Sequence, residues 1–135
     1  MNTKPPHANR AFRKRVSGAA RRVFVQIAEV WALSDIEQVN LLALDSLEAL
    51  EQLRQPSKTP LSHDVLIRIS NVLKVYRALH ILLPRAENAH GWVKRPNTNV
   101  LFGGKPALCL MTTRDLADLT RVREYLEAQI DPQWG

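Results

Sequence analysis

From Ser17 onward the apolar residues fall at helical spacing. Ala20, Val23, Phe24, Ile27, Val30 and Trp31 recur every three or four positions, which predicts one apolar stripe on a helix of about sixteen residues. Arg21, Arg22 and Glu29 fall off that stripe. Ser34-Asp35-Ile36-Glu37 has the spacing of a capping box, in which hydroxyl and carboxylate each satisfy a free backbone N–H, so a second helix starts there. Its apolar residues Ile36, Val39, Leu41 and Leu42 lead to Asp45 or Ser46, either of which can cap a third helix ending near Gln55. Two short helices joined by a tight turn match a helix-turn-helix.

Beyond the breaker-rich Pro56-Ser57-Lys58-Thr59-Pro60, Ser62 is placed to cap the longest pattern in the chain. Val65, Leu66, Ile69, Val72, Leu73, Val75, Tyr76, Leu79, Leu82 and Leu83 nearly encircle it before Pro84 stops it, which predicts a central pillar with a kink near Lys74. A short helix over about 85–93 follows, presenting Ala86, Ala89, Trp92 and Val93 inward. Pro96-Asn97 and Gly103-Gly104 then break the chain, so residues 96–105 form a loop that Phe102 pins to the core. Such a loop is either a shaped surface or a plain connector. Pro106 opens a short helix through Met111, and Thr112 or Thr113 caps the last one, with Asp115 in its first turn. Leu116, Leu119, Val122, Leu126 and Ile130 mark its buried stripe; Arg121, Arg123, Glu124 and Glu127 lie outside it. Trp134 stands past the helix stop, as a folded-back lid or as a side chain for a partner pocket. The fold class is all-α.

Charge changes this picture at one end. Of the net +6, all resides in residues 1–34, where seven Lys/Arg face Glu29 alone; the rest of the chain carries twelve basic and twelve acidic side chains. Residues 1–16, with Pro5 and Pro6 and no apolar periodicity, read as a basic disordered arm, which either contacts a polyanion or only aids solubility. Arg10, Arg13, Lys14, Arg15, Arg21 and Arg22 are the candidate DNA contacts. The third helix argues the other way, because residues 35–55 hold five acids, Glu48 and Glu51 among them, against Arg54. A duplex dense in negative charge is disfavoured there.

Chemistry adds little. The four histidines lack metal-site spacing, and Cys109, inside an apolar run, reads as a small buried hydrophobe. No nucleotide-binding loop occurs, so no catalytic residue, metal or cofactor is expected. Nor is a membrane: no run approaches the roughly 18 apolar residues a span requires, and a secretory signal is not apparent, which suggests a cytoplasmic protein. The apolar helices outnumber what one small globule needs, which suggests a homodimer.

With those residues in view, the chain resembles the Xre/MbcA/ParS antitoxin family, encoded beside RES-domain toxins. The resemblance covers roughly residues 30–130. It rests on Leu61-Ser62-His63-Asp64, Arg68-Ile69-Ser70, the Val75 to His80 segment and Leu83-Pro84, and even more on Trp92, Pro96-Asn97, Phe102-Gly103-Gly104, Ala107-Leu108 with Met111, Asp118-Leu119, Val122-Arg123 and Tyr125-Leu126. Family members often carry Leu-Leu-Gly at the helix-turn-helix turn, where this chain has Leu42-Ala43-Leu44, and a Gly where Lys74 stands.

The resemblance implies an Xre-like helix-turn-helix region over 17–83 and a small helical toxin-binding region over 84–135, packed on the long central helix. It implies an antitoxin without chemistry of its own that occludes the active site of a RES-domain, NAD-consuming toxin and, through operator DNA, regulates its own transcription. Trp92, Asn97, Phe102, Gly103, Gly104, Arg121, Arg123, Tyr125, Gln129 and Trp134 are the candidate toxin contacts. The competing expectation is a DNA-binding transcriptional regulator without a toxin partner.

Overall fold

Capping chemistry sets where this chain turns. In the computed structural model, which describes residues 6–56 and 59–131 and side chains from residue 12 onward, seven α-helices follow one another. They are α1 (Pro6–Val30), α2 (Asp35–Leu41), α3 (Leu47–Arg54), α4 (His63–Leu82), α5 (Ala86–Gly91), α6 (Ala107–Met111) and α7 (Leu116–Ile130), with a single 3₁₀ turn, Trp92–Lys94, after α5. Among the described residues there is no β-strand; one antiparallel bridge joins Pro96 to Pro106. The all-α class is therefore the observed one.

Ser34 and Glu37 form the capping box of α2, with each side chain accepting from the other residue's N–H at 3.1 and 2.8 Å. Ser46 caps α3 and Ser62 caps α4, both through the N3 backbone N–H at 3.1 Å. For α7 the cap is Asp115, whose carboxylate accepts from Ala117 N–H at 3.0 Å; Thr112 and Thr113 do not take that role. Thr113 instead donates its hydroxyl to Asp118 at 2.8 Å. α1 begins at Pro6, earlier than the start near Ser17 that its apolar stripe predicts. The stripe marks where α1 packs, not where it forms, and proline fits a first helical turn. The part of the expected arm before Pro6 lies outside the described residues.

The core gathers around α4. Ile69, Val72, Val75, Ala78 and Leu79 are all buried, and α4 packs most extensively on α7 and next on α1. Asn71 faces α7, where its side-chain oxygen accepts from Arg123 at 2.6 Å. Leu73 and Tyr76, about half a turn away around the helix, line an open groove with Val23, Ile27 and Val30 of α1. Phe24 and Trp31 fill the space between α1 and the rest, and both are essentially inaccessible. Ser17, also fully buried, accepts a hydrogen bond from Leu61 N–H at 2.8 Å, fixing α1 to the entrance of α4. α4 is one continuous helix through Lys74. Four residues of the predicted apolar faces stay exposed: Val30, Ile36, Ala86 and Ile130. Each lies in the first or last turn of its helix, where a neighbour covers less.

α2 is bracketed by two left-handed residues that are not glycine. Ala32 (φ 52°) and Ala43 (φ 50°) close α1 and α2 in the same way. In each, the next residue's N–H returns to a carbonyl five positions back, Leu33 to Ala28 at 2.9 Å and Leu44 to Val39 at 2.9 Å. Cations from the C-terminal half hold both turns. Lys94 donates to the Ala32 carbonyl, and Arg114, itself at φ 75°, donates to the Leu44 carbonyl at 2.7 Å and to Asn40 Oδ1 at 3.1 Å. A cation suits these helix C-termini electrostatically as well.

A left-handed alanine costs on the order of 1–2 kcal/mol, partly offset because glycine loses more entropy on folding. Ala43→Gly is therefore expected to raise stability by about 0.5–1 kcal/mol, read from a urea midpoint with unchanged slope. Arg114→Gly, which relieves the dihedral but removes the hydrogen bonds, is expected to lower it by about 1 kcal/mol. A destabilising Ala43→Gly would contradict this view of the turn.

Candidate partner-binding surface

Three aromatic residues from three separate elements meet at one place. Trp92 of the 3₁₀ turn sits edge-on to Phe102 of the loop, with centroids 5.7 Å apart and planes at 84°. Phe102 in turn sits edge-on to Tyr125 of α7, at 5.3 Å and 88°. Such edge-to-face contacts are favoured by the ring quadrupole. Phe102 is buried, as its position between two breakers predicts, whereas Trp92 and Tyr125 are each half-buried and offer part of their rings outward.

The loop between them is closed by its own backbone. Asn97 N–H donates to the Lys105 carbonyl at 3.2 Å, and Gly104 N–H donates to the Asn97 carbonyl at 2.9 Å. The Asn97 and Asn99 side chains each accept from the N–H two residues on, both at 2.9 Å. Gly103 (φ 59°) and Gly104 (φ 83°) take the left-handed conformation that turns the chain back to Pro106. A Cβ on either glycine would meet nothing within 4 Å, so the dihedral and not crowding calls for glycine here.

α7 extends this surface. Arg121, Tyr125 and Gln129 are spaced four apart and share one helix face, with Arg121 and Gln129 exposed. Arg121 is 63% exposed and only loosely paired with Asp118, at 3.6 Å. Arg123 departs from expectation: its guanidinium is held between Asn71 and Glu127, both at 2.6 Å, and braces α7 against α4. The structure thus brings together Trp92, Asn97, Phe102, Gly103, Gly104 and Tyr125, aligns Arg121 and Gln129 beside them and turns Arg123 inward. Trp134 lies outside the described residues.

The basic residues of α1 separate in the same way. Arg13, Lys14, Arg15 and Arg22 are exposed, and the Arg10 side chain lies outside those described. Arg21 is buried, and burial lowers its guanidinium pKa. Beside α1, where it lines one pocket with Arg21 and Arg22, Arg54 of α3 is bound to Asp35 at 2.6 Å and Glu51 at 2.7 Å. The Asp35 hydrogen bond is the main cause of its raised pKa. Glu48 and Glu51 remain on the outer side of α3.

Cys109 is exposed, contrary to the expectation from its apolar neighbours. α6 has five residues and buries Ala107, Leu108 and Met111, which leaves position 109 on the outer side. His80 and His90 pack with Tyr76, the two imidazole centroids 5.1 Å apart. Among the described residues, no group of three or more His, Cys, Asp or Glu is arranged to hold a metal ion. Two features escape sequence reasoning: the contacts of Lys94 and Arg114, whose carbonyl partners lie far away in the chain, and Val100, 95% exposed at the loop tip. Only its place between two asparagine turns marks Val100 in the sequence.

The described residues thus present a fixed loop, half-open aromatics and one helix face on an all-helical fold. Residues 78–129 match the model of the antitoxin Xre/MbcA/ParS C-terminal toxin-binding domain, a span that contains the whole surface from Trp92 to Gln129. The chain is also 35% identical over 111 residues to the uncharacterized protein y4oB of Sinorhizobium fredii (strain NBRC 101917 / NGR234), covering 82% of this chain and 84% of that one. No solved structure gives a significant match. The chain belongs to the Xre/MbcA/ParS antitoxin family and carries its C-terminal toxin-binding domain.

Proposed function

We propose that this antitoxin neutralises a RES-domain toxin that consumes NAD, by covering the toxin's active-site cleft with the surface running from Trp92 to Gln129. The observation that carries the reading is the meeting of Trp92, Phe102 and Tyr125 inside the family's toxin-binding segment. Tryptophan, tyrosine and arginine are the side chains that concentrate binding energy at interfaces. Arg121, weakly paired on its own helix, is available to an acidic group of the toxin. Neutralisation then needs no chemistry from the antitoxin. Residues 84–135 form the toxin-binding region and 17–83 the Xre-like helix-turn-helix region, and the open groove between α1 and α4 supplies a face for a homodimer. No helix among the described residues is long and apolar enough to cross a membrane, and we assign the protein to the cytoplasm.

A second role, autoregulation through operator DNA, is favoured by the exposed Arg13, Lys14, Arg15 and Arg22 of α1. α3 supports it least, because Glu48 and Glu51 face outward and Arg54 is already neutralised. α1 then holds phosphates while reading few bases.

The first role is tested by NAD consumption by the purified RES-domain protein of the adjacent reading frame. Wild-type antitoxin is expected to suppress it, and a Trp92→Ala/Tyr125→Ala variant with native circular dichroism is expected to inhibit at least ~30-fold less well. Equal inhibition by both proteins would remove the aromatic surface from the mechanism; no inhibition by the wild type would overturn the RES assignment. For the second role, four phosphate contacts predict that DNA affinity falls roughly 100-fold between 50 and 200 mM salt in mobility-shift titrations. Sequence-selective binding that survives 200 mM salt and depends on α3 would contradict the assignment to α1.

A further inference from the structure

We infer that the loop over residues 97–104 is a pre-organised insertion element, with Val100 at its apex entering an apolar recess of the toxin that has an acidic rim. The inference rests on the proposed toxin partner and adds to it the chemistry of the contact.

Among the described residues, Val100 is the most exposed of the large apolar ones, at 95%. The others with high exposure, Phe12, Ile36, Leu47 and Ile81, lie on helices and keep roughly a third to a half of their surface covered. Val100 gains nothing from this fold. A tight turn at this position is served equally well by serine, aspartate or glycine, which would not present an apolar side chain to water.

The loop also cannot turn Val100 inward cheaply. Its conformation is fixed on both sides of the apex. Asn97 Oδ1 accepts from Asn99 N–H before it, and Asn99 Oδ1 accepts from Leu101 N–H after it. The Asn99 carbonyl accepts from Phe102 N–H at 2.9 Å, and Phe102 is buried between Trp92 and Tyr125. A loop already ordered in the free protein loses little freedom on binding, which is how a small contact gains affinity.

Charge specifies the surroundings of the recess. The segment from Lys94 to Lys105 carries Lys94, Arg95 and Lys105 and no acidic residue. Lys94 is directed to the Ala32 carbonyl and Arg95 to the Glu87 carbonyl at 3.4 Å, which leaves Lys105, exposed, at the loop base. A partner that receives Val100 therefore meets the Lys105 cation at the loop base, and an acidic group on its rim complements it. Because Phe102 joins the loop to the ring of Tyr125, the apex is continuous with the surface already described.

The test is titration calorimetry with the same RES-domain protein as the probe. Val100→Asp is expected to weaken binding at least ~100-fold and Val100→Ala about 10-fold, with thermal melts of the free protein unchanged, because Val100 touches little. Gly104→Ala, which strains the turn but leaves the apex in place, is expected to weaken binding about 10-fold. Ile36→Asp, exposed on α2 and outside residues 78–129, serves as the control and is expected to stay within about twofold of wild type. Wild-type affinity in Val100→Asp alongside loss of binding in Tyr125→Ala would overturn the insertion while leaving the partner intact. No binding by the wild-type protein would overturn the partner and the insertion together.

Discussion

Burial of α4 on two nearly opposite faces is the constraint on which the rest of this molecule depends. One face carries Leu73 and Tyr76 toward α1, and the other carries Asn71 toward α7, so neither neighbour can shift without opening the centre. The Arg123–Asn71 hydrogen bond adds direction to that packing: an arginine held by Asn71 and Glu127 leaves α7 little freedom to rotate about its axis. Rotation of α7 would in turn carry Tyr125 away from Phe102. The surface from Trp92 to Gln129 is thus set by the same interface that sets the core.

The two halves are joined a second time through polar contacts. Lys94 and Arg114, both from the C-terminal half, end on carbonyls at the two turns that flank α2. Each of those turns uses an alanine in a conformation that favours glycine, and Arg114 itself occupies the same region. At Leu42-Ala43-Leu44 the turn is made by Ala43, which takes the left-handed conformation without a glycine. Arg114 donates to both sides of that turn, which offsets part of the cost.

Much of this was legible in the sequence. Ser34 with Glu37, Ser46 and Ser62 announce three helix starts because capping is local chemistry between residues three apart. Phe102 could be placed inside because two breakers isolate it as the one aromatic able to anchor the loop. What was not legible depends on distance or on register. Arg123 looks like one more charged residue outside a helical stripe until α4 brings Asn71 beside it. Cys109 looks buried from its neighbours, but a helix of five residues has an outer side, and which residue occupies it depends on packing partners. Asp115 is the cap because α7 starts at Leu116 directly after it; Thr113 lies two residues earlier, where its hydroxyl accepts from Asp115 N–H and donates to Asp118. Val100 and Leu101 cannot be told apart by composition; only the asparagine turns decide which one points outward.

Membership of the antitoxin family and the location of the toxin-binding segment agree with a physical reading in which partner recognition belongs to the C-terminal half. The acidic α3, with Arg54 neutralised by Asp35 and Glu51, is the helix least suited to a polyanion. Hydrogen exchange of the antitoxin alone and saturated with the RES-domain protein tests that division most directly. Added protection is expected across residues 97–105 and along α7, with α2 and α3 unchanged. Protection confined to α1 and α3, with the loop and α7 exchanging as in the free protein, would contradict that division.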